Sequence, residues 1–289
     1  MYLSNEKEWK KFIDSIYFSY NELDGKNHKE ELKNLLIKTI HNLGKDKQFG
    51  IQFSGGLDSS FIALICKELK LKFKCYTVGI KNAPDLEYAL MLASKLNLDL
   101  KLKIYSLQEI EEILKNVVKL LKNTDVTNVA VGCVNYASLQ LAKEDKIKYM
   151  FSGSGSEEIY AGYERHLKSY KQGHKEAHEE CFNGLKNMWQ RDLERDLKLS
   201  NYYKIKYLLP FLDKEVIKES MKIHPKFKIS KDSKKLILRE IAYDLGLKRE
   251  IAYRPKKASQ YGSSFIKAID KIARKNNFKY KLDYIRSLK

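Results

Sequence analysis

At 289 residues the chain is long enough to bury a sizeable core, as one large domain or two small ones. Its 55 basic against 37 acidic residues give a net charge of +18, which favours polyanionic partners such as tRNA and equally fits lysine enrichment of solvated surfaces. No apolar run approaches the ~20 residues that span a bilayer, so no membrane partner is expected. The start, Met1-Tyr2-Leu3-Ser4-Asn5, lacks a signal-peptide apolar region, and cytoplasmic residence is the expectation. Four scattered cysteines (Cys66, Cys75, Cys133, Cys181) form no Cys-x-x-Cys pair, which argues against a zinc ribbon or a thioredoxin-like redox pair.

In chain order, residues 6–22 and 28–43 carry apolar side chains at helical spacing, and Gly44 ends the second helix. A strand over 48–53 then runs into Phe53-Ser54-Gly55-Gly56-Leu57-Asp58-Ser59-Ser60 and a helix over 59–70. A glycine-rich turn between strand and helix gathers backbone N–H groups at the positive end of the helix dipole, a place that favours an anion. Adjacent glycines let the main chain approach a phosphate closely. Asp58 would repel phosphate oxygens and makes sense with Mg²⁺ between them. The pattern is neither a Walker loop, which needs four residues between its glycines and then Lys-Ser or Lys-Thr, nor the dinucleotide Gly-x-Gly-x-x-Gly.

Further strands fit 72–79, 99–105 and 146–151, with helices over 85–96, 107–122 and 132–144. Strands alternating with helices imply a parallel sheet with helices on both faces. The last strand enters Ser152-Gly153-Ser154-Gly155-Ser156-Glu157-Glu158. Loops at the carboxyl ends of parallel strands share one crevice, so Glu157 is placed to complete a Mg²⁺ site with Asp58. Beyond about residue 165 the strand signals fade and helices are expected over 166–198, 213–223, 232–245 and 263–275. The predicted organisation is an N-terminal helical segment (1–29), an α/β nucleotide-binding part (30–165) and a helical part completing the domain (166–289).

The first loop resembles the signature of the PP-loop ATP pyrophosphatases, and its Leu-Asp-Ser-Ser form is most similar to asparagine synthases and the related β-lactam synthetases. Residues 152–163 resemble the second asparagine synthase segment. Pro210-Phe211-Leu212-Asp213, Lys235-Leu236-Ile237-Leu238-Arg239 and Arg254-Pro255-Lys256 followed by Gly262 resemble three more, in order, over about residues 30 to 265. The resemblance implies an ATP- and Mg²⁺-dependent ligase that splits ATP into AMP and pyrophosphate and activates a carboxyl or amide oxygen for attack by ammonia or an amine. It implies pyrophosphate binding by Ser54, Gly55, Gly56, Leu57, Asp58, Ser59 and Ser60. Adenosine would lie against Phe53, Val78, Gly79, Ser152 and Gly153. Asp58 and Glu157 would hold Mg²⁺. Lys256, with Lys257 as a substitute, would stabilise the transferring phosphates, with Lys235 and Arg239 nearby.

The departures are informative. Ser154 stands where asparagine synthases have a glutamate and β-lactam synthetases a tyrosine, and a serine is a poor base at its own pKa. Ala130 falls where the family has an arginine associated with the amino-acid substrate, and Lys206-Tyr207-Leu208 replaces Glu-x-Arg. ATP activation without free aspartate as acceptor is the expectation, with another small-molecule acceptor in its place. No glutaminase domain precedes the ATP loop here, so free ammonia, an amine or a separate glutaminase subunit would supply nitrogen. The alternative is a tRNA-modifying PP-loop enzyme that adenylates a base before nitrogen or sulfur transfer. Two weaker signals read as solvated helix faces: His174, His178 and Cys181, and the stripe of Lys267, Lys271, Arg274 and Lys275.

Overall fold

A computed structural model describes residues 5–23, 25–254 and 258–289. Its centre is a five-stranded, all-parallel sheet of β1 (Phe49–Gln52), β2 (Phe73–Gly79), β3 (Leu100–Ile104), β4 (Tyr149–Phe151) and β5 (Lys206–Leu208), in the order β3-β2-β1-β4-β5. Phe49 and Ile51 are fully buried, and Gly50, which faces the other way, is buried too. Successive strand residues point to opposite faces, so burial of all three means that helices cover both sides of the sheet. The edge strand β3 alternates Leu100, Leu102 and Ile104 with Lys101 and Lys103. Those lysines blunt an edge that would otherwise invite pairing with another chain.

The parallel sheet is the predicted class, and the elements depart from expectation where local signals compete. β5 was not expected: three residues carry no readable period, and Pro210 follows at once. The first helix stops at Ser15, and Ser19 with Glu22 closes a separate short turn over Tyr20–Glu22. The helix expected from 132 begins at Val126, because the Asp125 side chain accepts from Asn128 N at 2.7 Å and caps it. The run expected over 166–198 is broken into Glu164–Gln172, His174–Lys186, a π-helical turn over Trp189–Leu193, and Glu194–Tyr203. Gly173 is extended at the first break.

The helix His174–Lys186 corrects the expectation of a solvated face. His178 and Cys181 are buried, and His178 Nε2 donates to Phe18 O at 2.7 Å. Among the described residues no cluster of three or more His, Cys, Asp or Glu could hold a metal by itself. Burial lowers the pKa of His178 to about 4 and that of His166 to about 3. Both rings are therefore neutral in the fold, while the unfolded chain takes up protons near pH 6.5. Their contribution is complete above that value and is lost as pH falls toward 4. The thermal unfolding midpoint should fall from pH 6.5 to 4, and His178→Gln should flatten part of that fall. An unchanged slope would remove His178 from the account.

Candidate active site

Strands β1 and β4 are neighbours, with Gly50 opposite Met150 and Ile51 opposite Phe151. The strand order turns back between them, because β2 follows β1 on the other side. In open parallel sheets this switch point is where a crevice forms beyond the carboxyl ends. The turns that leave β1 and β4 are the two glycine- and serine-containing corners.

The first corner is held by its serines. Ser54 N donates to Ser59 Oγ at 3.3 Å, Gly56 N to Ser54 Oγ at 3.3 Å, and Ser59 Oγ to Gly56 O at 3.3 Å. Gly55 has φ +64°, and a Cβ there would stand 2.8 Å from the Tyr88 carbonyl carbon and 2.9 Å from Ala89 N. Only glycine lets this loop lean on the backbone of helix Pro84–Lys95. Helix Leu57–Glu68 then starts from Gly56 with no side-chain cap, which leaves its first N–H groups for an anion.

The two corners meet on one ammonium. Lys235 Nζ donates to Asp58 Oδ1 at 2.7 Å, to Asp58 Oδ2 at 2.8 Å and to Ser156 Oγ at 2.9 Å, and pairs with Glu157. Lys235 is 2% exposed, sits in the left-handed region at φ +59° and heads helix Leu236–Asp244. Gly162 makes room for this arrangement, since a Cβ there would come within 2.5 Å of Lys235 Cε and closer still to Glu157 Oε2.

Arg239 binds backbone beside this cluster. Its guanidinium donates to the carbonyls of Lys234 (2.6 Å), Ala252 (2.5 Å) and Arg254 (3.3 Å), and burial lowers its pKa. It thus fixes the backbone entering the Arg-Pro-Lys segment. Arg254 donates to Gly55 O at 3.1 Å and lies over the Tyr88 ring at 3.3 Å from its centroid. Lys256, with Pro255 and Lys257, lies outside the described residues.

A cavity of about 1230 Å³ opens at this mouth. Phe53, Ser54, Gly56, Leu57, Asp58, Ser59, Val78, Ser152, Gly153, Glu157, Lys235 and Arg239 all reach its wall. Gly55, Ser60 and Gly79 stand behind it: Ser60 is fully buried, and Gly79 is covered by Leu86 and Ala83.

Sequence reasoning missed the far wall. Arg191 pairs with Asp192 at 2.6 Å and with buried Glu158. Arg195 pairs with Asp196 at 2.8 Å, and Asp196 accepts from Asn135 Nδ2 at 2.7 Å. Burial raises the pKa of Glu158 and of Asp196. Burial opposes the Arg191 cation, but Asp192 and Glu158 outweigh it and raise its pKa. The readable signal was the Arg-Asp doublet repeated at 191–192 and 195–196, a spacing that sets both pairs on one helical face. These residues stand on and beside the π-helical turn, a device that recurs at functional sites. Ser154 lies on the same cavity wall, while Ala130 is fully buried in helix Val126–Glu144.

The donor set fits Mg²⁺. Two carboxylates already converge on one positive charge, and oxygen ligands of this kind suit that ion. Two carboxylates alone do not complete its shell, so phosphate oxygens would share it.

A parallel sheet with a glycine-serine corner at its switch point and an acidic corner facing it defines a PP-loop α/β protein. The asparagine synthase family model matches residues 31–177 and 169–276, and the chain belongs to that family. It is 35% identical over 283 residues to a Methanocaldococcus jannaschii protein named provisionally as a glutamine-hydrolysing asparagine synthetase, covering 86% of this chain and 51% of that one. It is 28% identical to the nodule asparagine synthetase of Pisum sativum (92% and 48% covered) and 27% identical to asparagine synthetase B of Escherichia coli (93% and 52% covered). The chain spans about half the length of these relatives. No helix among the described residues is long and apolar enough to cross a membrane.

Proposed function

We propose that this chain is an ATP- and Mg²⁺-dependent ligase that adenylates an oxygen of a small-molecule acceptor, releases pyrophosphate, and delivers the activated group to ammonia or an amine. The observation that supports this most directly is the meeting of Asp58 and Glu157 on Lys235 at the mouth of β1 and β4. Mg²⁺, when bound, would screen the charge of the departing pyrophosphate. Asp58 and Glu157 would hold it, and Lys235 would turn from the carboxylates toward the phosphates. Ser54, Gly56, Ser59 and the free N–H groups of helix Leu57–Glu68 would receive pyrophosphate, with Gly55, Leu57 and Ser60 keeping the corner in shape. Phe53, Val78, Ser152 and Gly153, backed by Gly79, would face adenosine. Lys256 would add a cation where negative charge accumulates, and preorganised cations count most where water is excluded.

The acceptor would occupy the far wall, between Ser154 and the Arg191–Asp192 and Arg195–Asp196 pairs. Every arginine there is already compensated by an acid. With Ala130 and Ser154 in place of the family's residues, free aspartate is not the expected acceptor. Nitrogen would come from ammonia, an amine or a separate glutaminase subunit. Incubation with ATP, Mg²⁺ and candidate acceptors should yield AMP and pyrophosphate in equal amounts. Robust asparagine formation from aspartate and ammonia would overturn the acceptor assignment, and release of ADP with phosphate would overturn the reaction class.

A further inference from the structure

The opposite end of the sheet carries a second constellation. The four neighbouring strands β2, β1, β4 and β5 each have a pair of lysines at their start: Lys70 and Lys72, Lys45 and Lys47, Lys146 and Lys148, and Lys204 with Lys206, the first residue of β5. All eight are exposed except Lys47, which is half-buried. With adjacent strands ~4.8 Å apart, the row spans ~14 Å. The lysines before β1 and β4 line a surface cleft of about 490 Å³, whose wall has one acid, Asp46. Among the described residues the ion pairs near this edge are made by Lys74 and Lys101, with Asp99, Glu144 and Asp145. Lys45, Lys47, Lys70, Lys72, Lys146, Lys148 and Lys204 make none among the described residues.

Helix dipoles account for part of this row, because helices end here and a cation at a helix carboxyl end is stabilised. Two features exceed that account. The second lysine of each pair stands within two residues of the strand, or on it, rather than on the helix. And Lys70, Lys146 and Lys204 have φ of +53°, +58° and +54°, the left-handed conformation for which glycine is the undemanding occupant. The basic stripe on helix Phe265–Lys275 differs, since there Arg274 pairs with Asp270 at 3.0 Å.

We propose that this lysine row is a docking surface for a nucleic-acid phosphodiester backbone. Lysines facing one another across a cleft suit a rod of charge, whereas a planar bilayer would call for a flat surface with apolar anchors. One strand carries a phosphate every ~3.4 Å, so a ~14 Å row meets about four at once. Beside Lys204 stands Tyr202, 57% exposed, a ring on which a base can stack. The row lies at the amino ends of the strands and the proposed active site at their carboxyl ends, so docking leaves the catalytic mouth open.

The test is fluorescence anisotropy with a labelled 20-nucleotide RNA and the same sequence as DNA, across 50–200 mM KCl. The intact chain is compared with two charge-reversed variants. One carries Lys45→Glu, Lys47→Glu, Lys146→Glu and Lys148→Glu. The other carries Lys267→Glu, Lys271→Glu, Arg274→Glu and Lys275→Glu. Each takes the net charge from +18 to +10, so only location differs. The cleft variant should bind at least ~10-fold more weakly at 100 mM KCl, with the log–log salt slope reduced by ~3, while the second variant stays near the intact chain. RNA and DNA responding alike would assign the backbone, and RNA alone would add its 2′-hydroxyl. Equal losses in both variants, or unchanged binding in the cleft variant, would overturn the proposal. Thermal melts and pyrophosphate release on the same samples show that each variant is folded, and they keep this outcome separate from the fate of the ligase reading.

Discussion

Lys235→Met should cost about 3–5 kcal/mol of folding stability, because it leaves Asp58 and Glu157 facing each other, buried, without their shared cation. The loss should appear in urea unfolding as a lower midpoint at constant slope. Mg²⁺ without nucleotide should restore part of it by taking the ammonium's place between the two carboxylates. Adding Asp58→Asn to Lys235→Met should also restore stability, giving a coupling energy of the sign that a direct pair requires. If the single substitutions simply add, Lys235 is packing material rather than a counter-ion.

Gly162→Ala should damage activity strongly, with a smaller effect on stability than Lys235→Met. The new methyl group would overlap Glu157 Oε2 and stand 2.5 Å from Lys235 Cε, so Glu157 must move. If Glu157 holds Mg²⁺ on the reacting phosphates as proposed, such a displacement should cost on the order of 10²-fold in rate. Overpacking of this kind costs roughly 1–3 kcal/mol in stability. Steady-state pyrophosphate release and a urea titration separate the two effects. A variant with unaltered rate would show that Glu157 has no part in the chemistry.

The corners themselves were legible because they rest on local signals: glycines, serines and an acid at the join of a buried strand and a helix. Adjacency of those corners was inferred from the logic of parallel sheets, and the pairing of β1 with β4 bears that out. The cation between them was not legible. Lys235 comes from 177 residues beyond Asp58, and a lysine at a helix start carries no mark of its destination. The resemblance placed it near the phosphates, not on the acids. Arg239 was read as a catalytic candidate from its charge; its hold on backbone carbonyls through Nε and Nη1, made while it still reaches the cavity wall, was not legible because partners do not show in sequence. β5 and the π-helical turn escaped for another reason: three to five residues are too few for any period to show.

The union of Asp58 and Glu157 through Lys235 also has a bearing on biosynthesis. Both acids emerge from the ribosome well before the lysine that bridges them. Until position 235 has been translated, the two corners lack the ammonium that joins them in the folded chain. Completion of this pocket is therefore a late event in the life of the nascent chain, timed by its closing portion.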